Sequence, residues 1–381
     1  MTQKPTNQPR IDADEIFDGI RIWCEFETPS DEPASVNKLV DKVEGDLRQL
    51  GARIERVPGK DGWGDVLKAR SPWGGDGPGI LVLSHLDTVH PLGTIKKQKF
   101  ERKGDVCFGP GIYDMKGGAH LAFYAYRHLV RTAKQTKLPI TFLYIPEEEV
   151  GSPTSRQIIE REALKSKYVL VTEPAREGGK IVTARKGVGR FDIEIHGRPA
   201  HSGARHEDGR SAIKEMARQI LSIEGMTDYG RGITTNVGIV HGGTFCNVVP
   251  FHCTAEVDLR VPDQAIADEM CARILGLTAH DPDVVLKVSG GLNRPPYGKN
   301  EGIAKLFDHA KDLAREIGFE LQDVPLTGGG SDGNFTAALG VPTLDGLGVD
   351  GKGAHTDYEQ AYFSSFEPRA RLMLRLFETL E

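Results

Sequence analysis

The chain has 381 residues, 39% of them hydrophobic and 27% charged, and its formal net charge is −6. Because this length exceeds what one hydrophobic core usually serves, we expect two domains. The acidic balance offers no basic surface for nucleic acid and no polybasic membrane anchor. No apolar run approaches the roughly 18 residues of a membrane span, so we expect no membrane partner.

The first ten residues, MTQKPTNQPR, are polar, and we expect them to fray. They contain no apolar segment of the kind that a secretory signal requires. The five cysteines are scattered, odd in number and without metal-knuckle spacing, which indicates buried thiols in a reducing compartment. We therefore expect a cytoplasmic protein.

Apolar runs separated by helical segments dominate the first half of the chain. Runs that are apolar throughout predict buried strands, here at 80–85, 140–149 and 168–174. The spacing predicts helices over 115–133 and 152–166, the second with Ser152 as its N-cap and Pro153 in its first turn. This alternation predicts an α/β fold with a mostly parallel sheet and helices on both faces.

The pattern changes at about residue 187. Strand, helix, two strands, helix and strand follow in that order, at 189–199, 209–225, 234–243, 248–262, 264–279 and 283–291. This order is the split βαβ or ferredoxin-like plan. The α/β pattern then resumes, with helices at 302–318 and 366–381 and strands at 319–326 and 340–348. We predict one α/β domain, residues 1–186 and 295–381, interrupted by a smaller α+β domain, residues 187–294.

Acidic and imidazole side chains follow the predicted buried strands. His85 and Asp87 follow the first strand, the acidic run 147–149 follows the second, and Glu173 follows the third. In an open α/β sheet, ligands bind outside the carboxyl ends of the strands. Two glycine-rich loops add further candidates, which are Asp114 in GPGIYDMKGG and His355 in GKGAHTDYE.

A surplus of carboxylates with two imidazoles would repel itself if these side chains met. No lysine or arginine stands at these strand ends, so a divalent metal is the simpler counter-charge. Mixed imidazole and carboxylate ligands suit zinc. Each motif alone has an ordinary interpretation as a surface turn, a solvated face or a helix cap. Their joint occurrence at strand ends is what favours a metal site.

Six short motifs occur in the order SHLDTVHP, GPGIYDMKGG, PEEEVGS, VTEPA, GRPAHSG and GAHTDYE, between residues 80 and 359. Together they resemble the signatures of the dinuclear zinc exopeptidase and aminoacylase superfamily. This superfamily includes glutamate carboxypeptidases, acetylornithine deacetylases and succinyl-diaminopimelate desuccinylases. The later motifs, GGGSDGNFTAALGVPTLDGLG and GAHTDYE, look most like glutamate carboxypeptidases, and the inserted unit resembles the superfamily's lid domain.

The resemblance implies two zinc ions, for which cobalt or manganese are alternatives. It implies five ligands, which are His85 and Glu173 for the first zinc, Glu149 and His355 for the second, and Asp114 as the bridge. Asp87 resembles the acid that holds the other nitrogen of a ligating histidine. Glu148 resembles the general base, and Glu147 stands where the family more usually has Asp.

Glu148 and Glu149 are adjacent, although the resemblance gives both a place in one cavity. In a continuing strand, neighbouring side chains point to opposite faces. We therefore expect an irregular backbone directly after the second strand. A carboxylate without a metal, such as Glu148, would take the proton of the attacking water and pass it to the leaving amine.

The resemblance also implies residues that contact the substrate. His201, in GRPAHSG, matches a histidine that steadies the oxyanion, often from the neighbouring subunit. Asn247 and Arg260 match lid residues near the substrate's carboxylate, and Arg294, at the return to the main domain, is a further candidate. The run TGGGSDGNF offers backbone N–H groups for that carboxylate, and the candidates there are Gly329, Gly330 and Ser331.

A cationic lid and an N–H cradle predict a substrate with a free carboxylate. We predict a carboxypeptidase that releases a C-terminal amino acid such as glutamate, with an aminoacylase or deacylase of N-acyl amino acids as the alternative. A non-catalytic metal or amino-acid binding protein is less consistent with a complete ligand set and base. The open edges of the inserted sheet predict a homodimer, and we expect hinges near 186–189 and 293–296.

Overall fold

The computed structural model describes residues 10–381, so all but the last residue of the segment expected to fray lies outside the described residues. The chain forms two compact units. Unit 1 contains the described residues up to Thr183 together with Lys299–Leu326 and Ser331–Glu381. Unit 2 contains Ala184–Gly298 and Thr327–Gly330. The domain boundaries expected from the sequence, before 187 and after 294, stay a prediction.

Helices and strands alternate along most of the described chain. The α-helices are α1 Ala13–Cys24, α2 Pro33–Gln49, α3 Thr94–Lys97, α4 Gly117–Arg131, α5 Arg156–Leu164, α6 Ala212–Glu224, α7 Gln264–Leu275, α8 Glu301–Ile317, α9 Gly333–Ala338 and α10 Phe366–Thr379. The strands are β1 Arg53–Val57, β2 Val66–Arg70, β3 Gly79–His85, β4 Glu101–Lys103, β5 Val106–Phe108, β6 Ile140–Ile145, β7 Ser166–Val171, β8 Ile181–Val182, β9 Gly187–His196, β10 Thr234–Gly242, β11 His252–Val261, β12 Val285–Arg294, β13 Asp323–Val324, β14 Thr343–Leu344, β15 Gly351–Lys352 and β16 Gln360–Tyr362.

Unit 1 is built on a six-stranded sheet in the order β1-β2-β6-β3-β7-β14. The last four strands are parallel, and β1 and β2 form an antiparallel edge. Alternate strand side chains such as Leu83 pack with Ile159 of α5 and Phe335 of α9. The ring of Phe142 points to the other face, where it contacts Tyr126 of α4 and Phe377 of α10. The predicted mostly parallel sheet with helices on both faces is confirmed.

Unit 2 contains the four-stranded antiparallel sheet β10-β11-β9-β12. One face packs on α6 and α7 through a core that includes Ile193, Met216, Leu259 and Ile274. The other face is partly exposed, because the alternate residues of β9 and β11 are polar. The smaller α+β unit therefore has the element order that the sequence predicts.

Several elements differ from the sequence predictions. The strand expected over 140–149 ends at Ile145, and the following helix begins at Arg156, so Ser152 is not its N-cap. Ser152 has a φ of 54°, in the left-handed region, and the chain makes a turn there before the helix begins. The strands expected over 319–326 and 340–348 have two residues each. The sequence pattern did not predict α1, α2, β1, β2 or the sheet β15-β16-β5-β4.

The cysteines only partly follow expectation, because Cys246 is exposed and Cys271 is intermediate, whereas the other three are buried. Cys246 lies in the turn after β10, where no core reaches it. Within residues 10–381, no helix combines the length and apolar character that crossing a membrane requires.

We expect Gly118→Ala to destabilise the protein by about 1–3 kcal/mol, because the added methyl has no room. A Cβ at Gly118 would lie 2.0 Å from the carbonyl oxygen of Thr172, which follows β7. The matched control is Gly45→Ala in α2, where a Cβ would meet nothing within 4 Å. That change should add about 0.5–1 kcal/mol of stability through the helix backbone. Urea unfolding midpoints measure both, and a Gly118→Ala variant as stable as Gly45→Ala would contradict the tight contact.

Candidate metal centre

Three neighbouring parallel strands bring chemically active side chains to one edge of the unit 1 sheet. His85 is the last residue of β3, the run 147–149 follows β6, and Glu173 follows β7. Strands β6 and β7 flank β3 on either side. The carboxyl ends of parallel strands meet at the same edge, so the strand order alone collects these groups.

Asp114 lies in an irregular turn, Ile112–Lys116, directly before α4. Its Oδ1 lies 3.3 Å from Nε2 of His85, and its Oδ2 lies 3.3 Å from Nε2 of His355. His355 is presented by a loop in which its own backbone is left-handed, with a φ of 65°. One carboxylate therefore faces an imidazole with each of its oxygens.

The five ligands implied by the sequence come together as two groups that share Asp114. Each group offers three ligand atoms that lie within 4.8 Å of one another. In the first group, Nε2 of His85 is 3.8 Å from Oε1 of Glu173. In the second, Nε2 of His355 is 3.0 Å from Oε2 of Glu149. Imidazole and carboxylate donors in this combination suit zinc.

The electrostatics of the cluster show a surplus of negative charge. Burial, and then the charge of Asp114, raise the pKa of Glu149 to about 8. Hydrogen bonds to Asp114 and Glu149 raise the pKa of His355 to about 11. Burial alone would lower the pKa of His85, but its hydrogen bonds to Asp114 and Asp87 hold that pKa well above the usual range. The carboxylates therefore favour bound positive charge, either as protons or as cations. Divalent cations would supply that charge.

One oxygen of the cluster supports the same conclusion. Oε1 of Glu149 is buried and has no hydrogen-bond partner among residues 10–381. An unsatisfied buried carboxylate oxygen costs free energy, and coordination of a metal would satisfy it. The donors present therefore fit divalent metal ions.

Asp87 is fully buried and joins two parts of the centre. Its Oδ1 lies 3.3 Å from Nδ1 of His85, which leaves Nε2 directed at Asp114. The same carboxylate accepts the backbone N–H groups of Glu148, at 3.1 Å, and Glu149, at 3.2 Å. Ser30 donates its hydroxyl to Oδ2 at 2.6 Å. Asp87 thus orients one histidine and fixes the turn that carries both glutamates.

The backbone after β6 is irregular, as the two adjacent glutamates require. A short 3₁₀ turn covers Glu148–Val150. Glu147 is buried, and its Oε1 accepts the backbone N–H groups of Thr154, at 3.1 Å, and Ser155, at 2.8 Å. Glu147 therefore anchors the chain before α5 and is not part of either metal-binding group.

Glu359 is a functional candidate that was not predicted from the sequence. It is fully buried and accepts the backbone N–H groups of Gly111, Tyr113 and Asp114, each at 2.8 Å. Nε2 of His90 lies 2.6 Å from its Oε2. The only signal in the sequence was that Glu359 ends the motif GAHTDYE and His90 belongs to SHLDTVHP. A side chain that accepts hydrogen bonds from the backbone of a distant segment leaves no recognisable spacing in the sequence.

In unit 2, His201 and Asn247 lie on two loops that pair with each other. The N–H of Ser202 donates to the carbonyl of Asn247 at 3.0 Å, and His201 forms a bridge with Val248. Nδ1 of His201 accepts the N–H groups of Gly203 and Ala204, at 3.1 and 3.2 Å. The neutral ring therefore carries its proton on Nε2, on an exposed side chain.

Three arginines of unit 2 contact the glycine run that the sequence singled out. Arg260 donates to the carbonyl of Gly328 at 3.2 Å and holds Asp258 with two hydrogen bonds. Arg294 packs so closely on Gly330 that a Cβ there would lie 2.8 Å from its Cδ. Arg185, which the sequence reading missed, is fully buried and donates to the carbonyl of Gly329 at 2.9 Å.

Ser331 belongs to unit 1, and its polar groups are engaged in the local turn. Its N–H donates to Oδ1 of Asn334 at 3.0 Å, and its Oγ accepts the N–H of Gly333 at 3.0 Å. The roles expected of Ser331 and of the unit 2 residues in binding the substrate stay predictions.

The sequence is similar to a known protein family and to characterised relatives. Residues 81–379 match the family described as Peptidase family M20/M25/M40. Carboxypeptidase G2 of Pseudomonas sp. (strain RS-16) is 30% identical over 360 residues, covering 92% of this chain and 86% of that protein. Succinyl-diaminopimelate desuccinylase of Legionella pneumophila (strain Paris) is 24% identical over 319 residues, covering 78% and 82%.

A solved structure shares the fold. The M20 family metallo-carboxypeptidase Sso-CP2 from Sulfolobus solfataricus superposes with a TM-score of 0.75 at 18% identity, over 96% of this chain and 100% of that one. The family match and the 30% identity to carboxypeptidase G2 confirm the superfamily resemblance of the six motifs. The chain belongs to Peptidase family M20/M25/M40 and is a metal-dependent hydrolase of the exopeptidase and amidohydrolase class.

Proposed function

We propose that this protein is a carboxypeptidase that uses two divalent metal ions, with zinc as the expected metal, to release a C-terminal amino acid such as glutamate. The observation that carries the proposal is Asp114, whose two oxygens each lie 3.3 Å from a different histidine. His85 and Glu173 would hold one ion, and Glu149 and His355 the other, with Asp114 shared. A pair of divalent ions supplies Lewis acidity, which lowers the pKa of water and polarises a carbonyl group.

Glu148 is the proposed general base. It is held in the 3₁₀ turn by the hydrogen bond from its N–H to Asp87, beside Glu149 but outside both metal-binding groups. Its carboxylate would accept a proton from the attacking water and then deliver it to the nitrogen of the leaving amine. Asp87 keeps Nε2 of His85 directed into the centre through the bond at Nδ1.

His201 is the proposed donor to the negative oxygen that develops on the scissile carbonyl. Because its Nδ1 accepts two backbone N–H groups, its Nε2–H is the group that can donate. Asn247, on the paired loop, is proposed to bind the same part of the substrate. These roles follow the residue-by-residue match to the superfamily.

The arginines around the glycine run support a substrate with a free carboxylate. Arg185, Arg260 and Arg294 concentrate positive charge at the segment that contains Gly329 and Gly330. Arginine suits planar recognition of a carboxylate. The likeness to carboxypeptidase G2 supports the carboxypeptidase reaction, whereas the likeness to a desuccinylase supports the alternative, deacylation of N-acyl amino acids.

We also propose that the protein is a cytoplasmic homodimer that pairs through unit 2. Strand β10 lies at one edge of the sheet, and its Ile239 and Val240 are 43% and 50% exposed. An exposed apolar edge strand is a template for pairing with a second strand.

Exchanging the two adjacent glutamates for glutamine separates the roles of base and ligand. We expect Glu148→Gln to lower kcat by about 10²–10⁴-fold with normal metal content, because it removes the proton acceptor. Glu149→Gln is the matched variant and should lose metal as well as activity. Steady-state kinetics and elemental analysis measure the two effects. A Glu148→Gln variant with retained turnover would refute the assignment of the base.

A substrate panel tests the reaction class. We expect peptides and N-acyl compounds with a C-terminal glutamate to be cleaved, and the same compounds with a carboxamide in place of the α-carboxylate to be poor substrates. The reason is that the amide cannot neutralise the arginines. Much faster turnover of acetylated or succinylated amino acids than of peptides would favour the deacylase instead.

Glu359→Gln should weaken metal binding by about 10–100-fold, since the amide group would confront one of the N–H donors that now hold the Asp114 turn. Activity should return at saturating zinc, which a general loss of folding would not allow. His90→Gln is the control, because it leaves all three backbone bonds to Glu359 in place. Isothermal titration of the metal-free protein measures the affinity, and wild-type affinity in Glu359→Gln would contradict this positioning role.

Light scattering at micromolar concentration tests the dimer. We expect a mass of two chains for the wild type and of one chain for Val240→Lys, because a charge on the edge strand blocks pairing. Val285→Lys, on the opposite edge strand β12, should remain dimeric. A monomeric wild type, or dissociation by Val285→Lys alone, would count against pairing through β10.

A further inference from the structure

The face of the unit 2 sheet opposite its two helices carries a compact group of two histidines and a glutamate. Strands β9 and β11 are antiparallel neighbours, and His196 of β9 lies directly opposite His252 of β11. Glu194 precedes His196 by two residues, so its side chain lies on the same face. Ile195, between Glu194 and His196, and Cys253, next to His252, point to the opposite face and are buried in the core.

The three side chains converge on one point. Nε2 of His196 lies 2.9 Å and Nε2 of His252 lies 3.2 Å from the same oxygen, Oε1 of Glu194. The two imidazole rings have centroids 5.0 Å apart. Each of the three residues offers a ligand atom within 4.8 Å of the others. Tetrahedral zinc with nitrogen and oxygen ligands holds them roughly 3.4 Å apart, which is close to this spacing.

The backbone under the group is well suited to hold a metal. Both histidines extend from paired strands in the interior of the sheet, where β9 and β11 exchange hydrogen bonds along ten residue pairs. The three side chains are 39–41% exposed, so the side of the group that faces away from the sheet is open to solvent. Three protein ligands with one outward position is the arrangement of zinc sites that also bind water or an external ligand.

Hydrogen bonding and charge pairing explain the group less well than a metal does. Solvent screens an ion pair at this exposure, so charge pairing gives little reason for two imidazoles to meet at one oxygen. A cation between the three atoms would be held by all of them at once. Lys287 of β12, opposite Glu194 in the ladder, has its Nζ 3.6 Å from Oε2 and competes for the carboxylate.

We propose that Glu194, His196 and His252 form an additional metal site, which binds one zinc ion or a similar late first-row divalent cation. The two imidazoles and one carboxylate select this class of metal over magnesium or calcium, which prefer oxygen ligands throughout. The outward coordination position takes water or a donor atom from a second molecule. The site lies within unit 2 and is independent of the function proposed for the metal centre of unit 1.

Equilibrium dialysis against buffered micromolar free zinc, followed by elemental analysis, tests the site in the full-length protein. We expect His252→Gln to retain one zinc fewer per chain than the wild type. His241→Gln is the matched control, because His241 is exposed on β10 and belongs to neither this group nor the unit 1 centre. It should retain the wild-type number. Equal zinc content in the wild type and His252→Gln would overturn the proposal.

A second variant should raise the zinc affinity of the site instead of lowering it, and it leaves all three ligands intact. Lys287→Met removes the cation that competes for Glu194, so zinc should bind this site a few-fold more tightly. A competition titration with a chromogenic chelator measures that affinity. Unchanged or weaker binding in Lys287→Met would show that the carboxylate is not a ligand and would also overturn the proposal.

Discussion

Several carboxylates meet at one edge of the unit 1 sheet, and their mutual repulsion determines which groups must surround them. Asp87, Asp114, Glu148, Glu149 and Glu173 share a small volume with two imidazoles. Burial makes such a set of carboxylates unstable unless positive charge joins it. The raised pKa of Glu149, caused by burial and then by the charge of Asp114, reflects this repulsion.

Buried acids outside both metal-binding groups keep this arrangement in place. Asp87 fixes His85 and the 3₁₀ turn together, and Glu359 gathers three backbone N–H groups around Asp114. Glu147 does the same for the chain before α5. Each uses a charged acceptor to hold irregular backbone, which neither helix nor strand ladders can satisfy. The irregular turns of the site are therefore held by hydrogen bonds to buried acids, among them Asp87 and Glu359, that lie far from these turns in the sequence.

The parallel sheet and three of the five metal-binding candidates, His85, Glu149 and Glu173, could be predicted from the strand pattern, because apolar runs end in acids and a histidine that the strand order brings to one edge. The place of Asp114 and His355 needed the superfamily motifs, since loops carry no periodicity. The predicted start of α5, with Ser152 as its N-cap, was wrong, because Ser152 takes a left-handed conformation and the helix begins only at Arg156. Glu359 and Arg185 were missed because they act on backbone groups, and no side-chain pattern records such contacts.

The strands β1 and β2 and the small sheet β15-β16-β5-β4 show a further limit of the sequence pattern. Strands such as β4, β15 and β16 have two or three residues, too few to display a period. Their positions come from pairing with distant segments, as β5 with β16. The local sequence pattern therefore predicts the sheet that carries the metal centre. It does not predict short strands whose conformation is set by pairing with distant segments.

We propose that two metal ions share Asp114. Crystals of the zinc-loaded protein, measured on both sides of the zinc absorption edge, locate the metal directly. A shared Asp114 predicts two anomalous peaks roughly 3.5–4 Å apart beside its carboxylate, one next to His85 and one next to His355. A single peak there, or none, in fully loaded protein would contradict it.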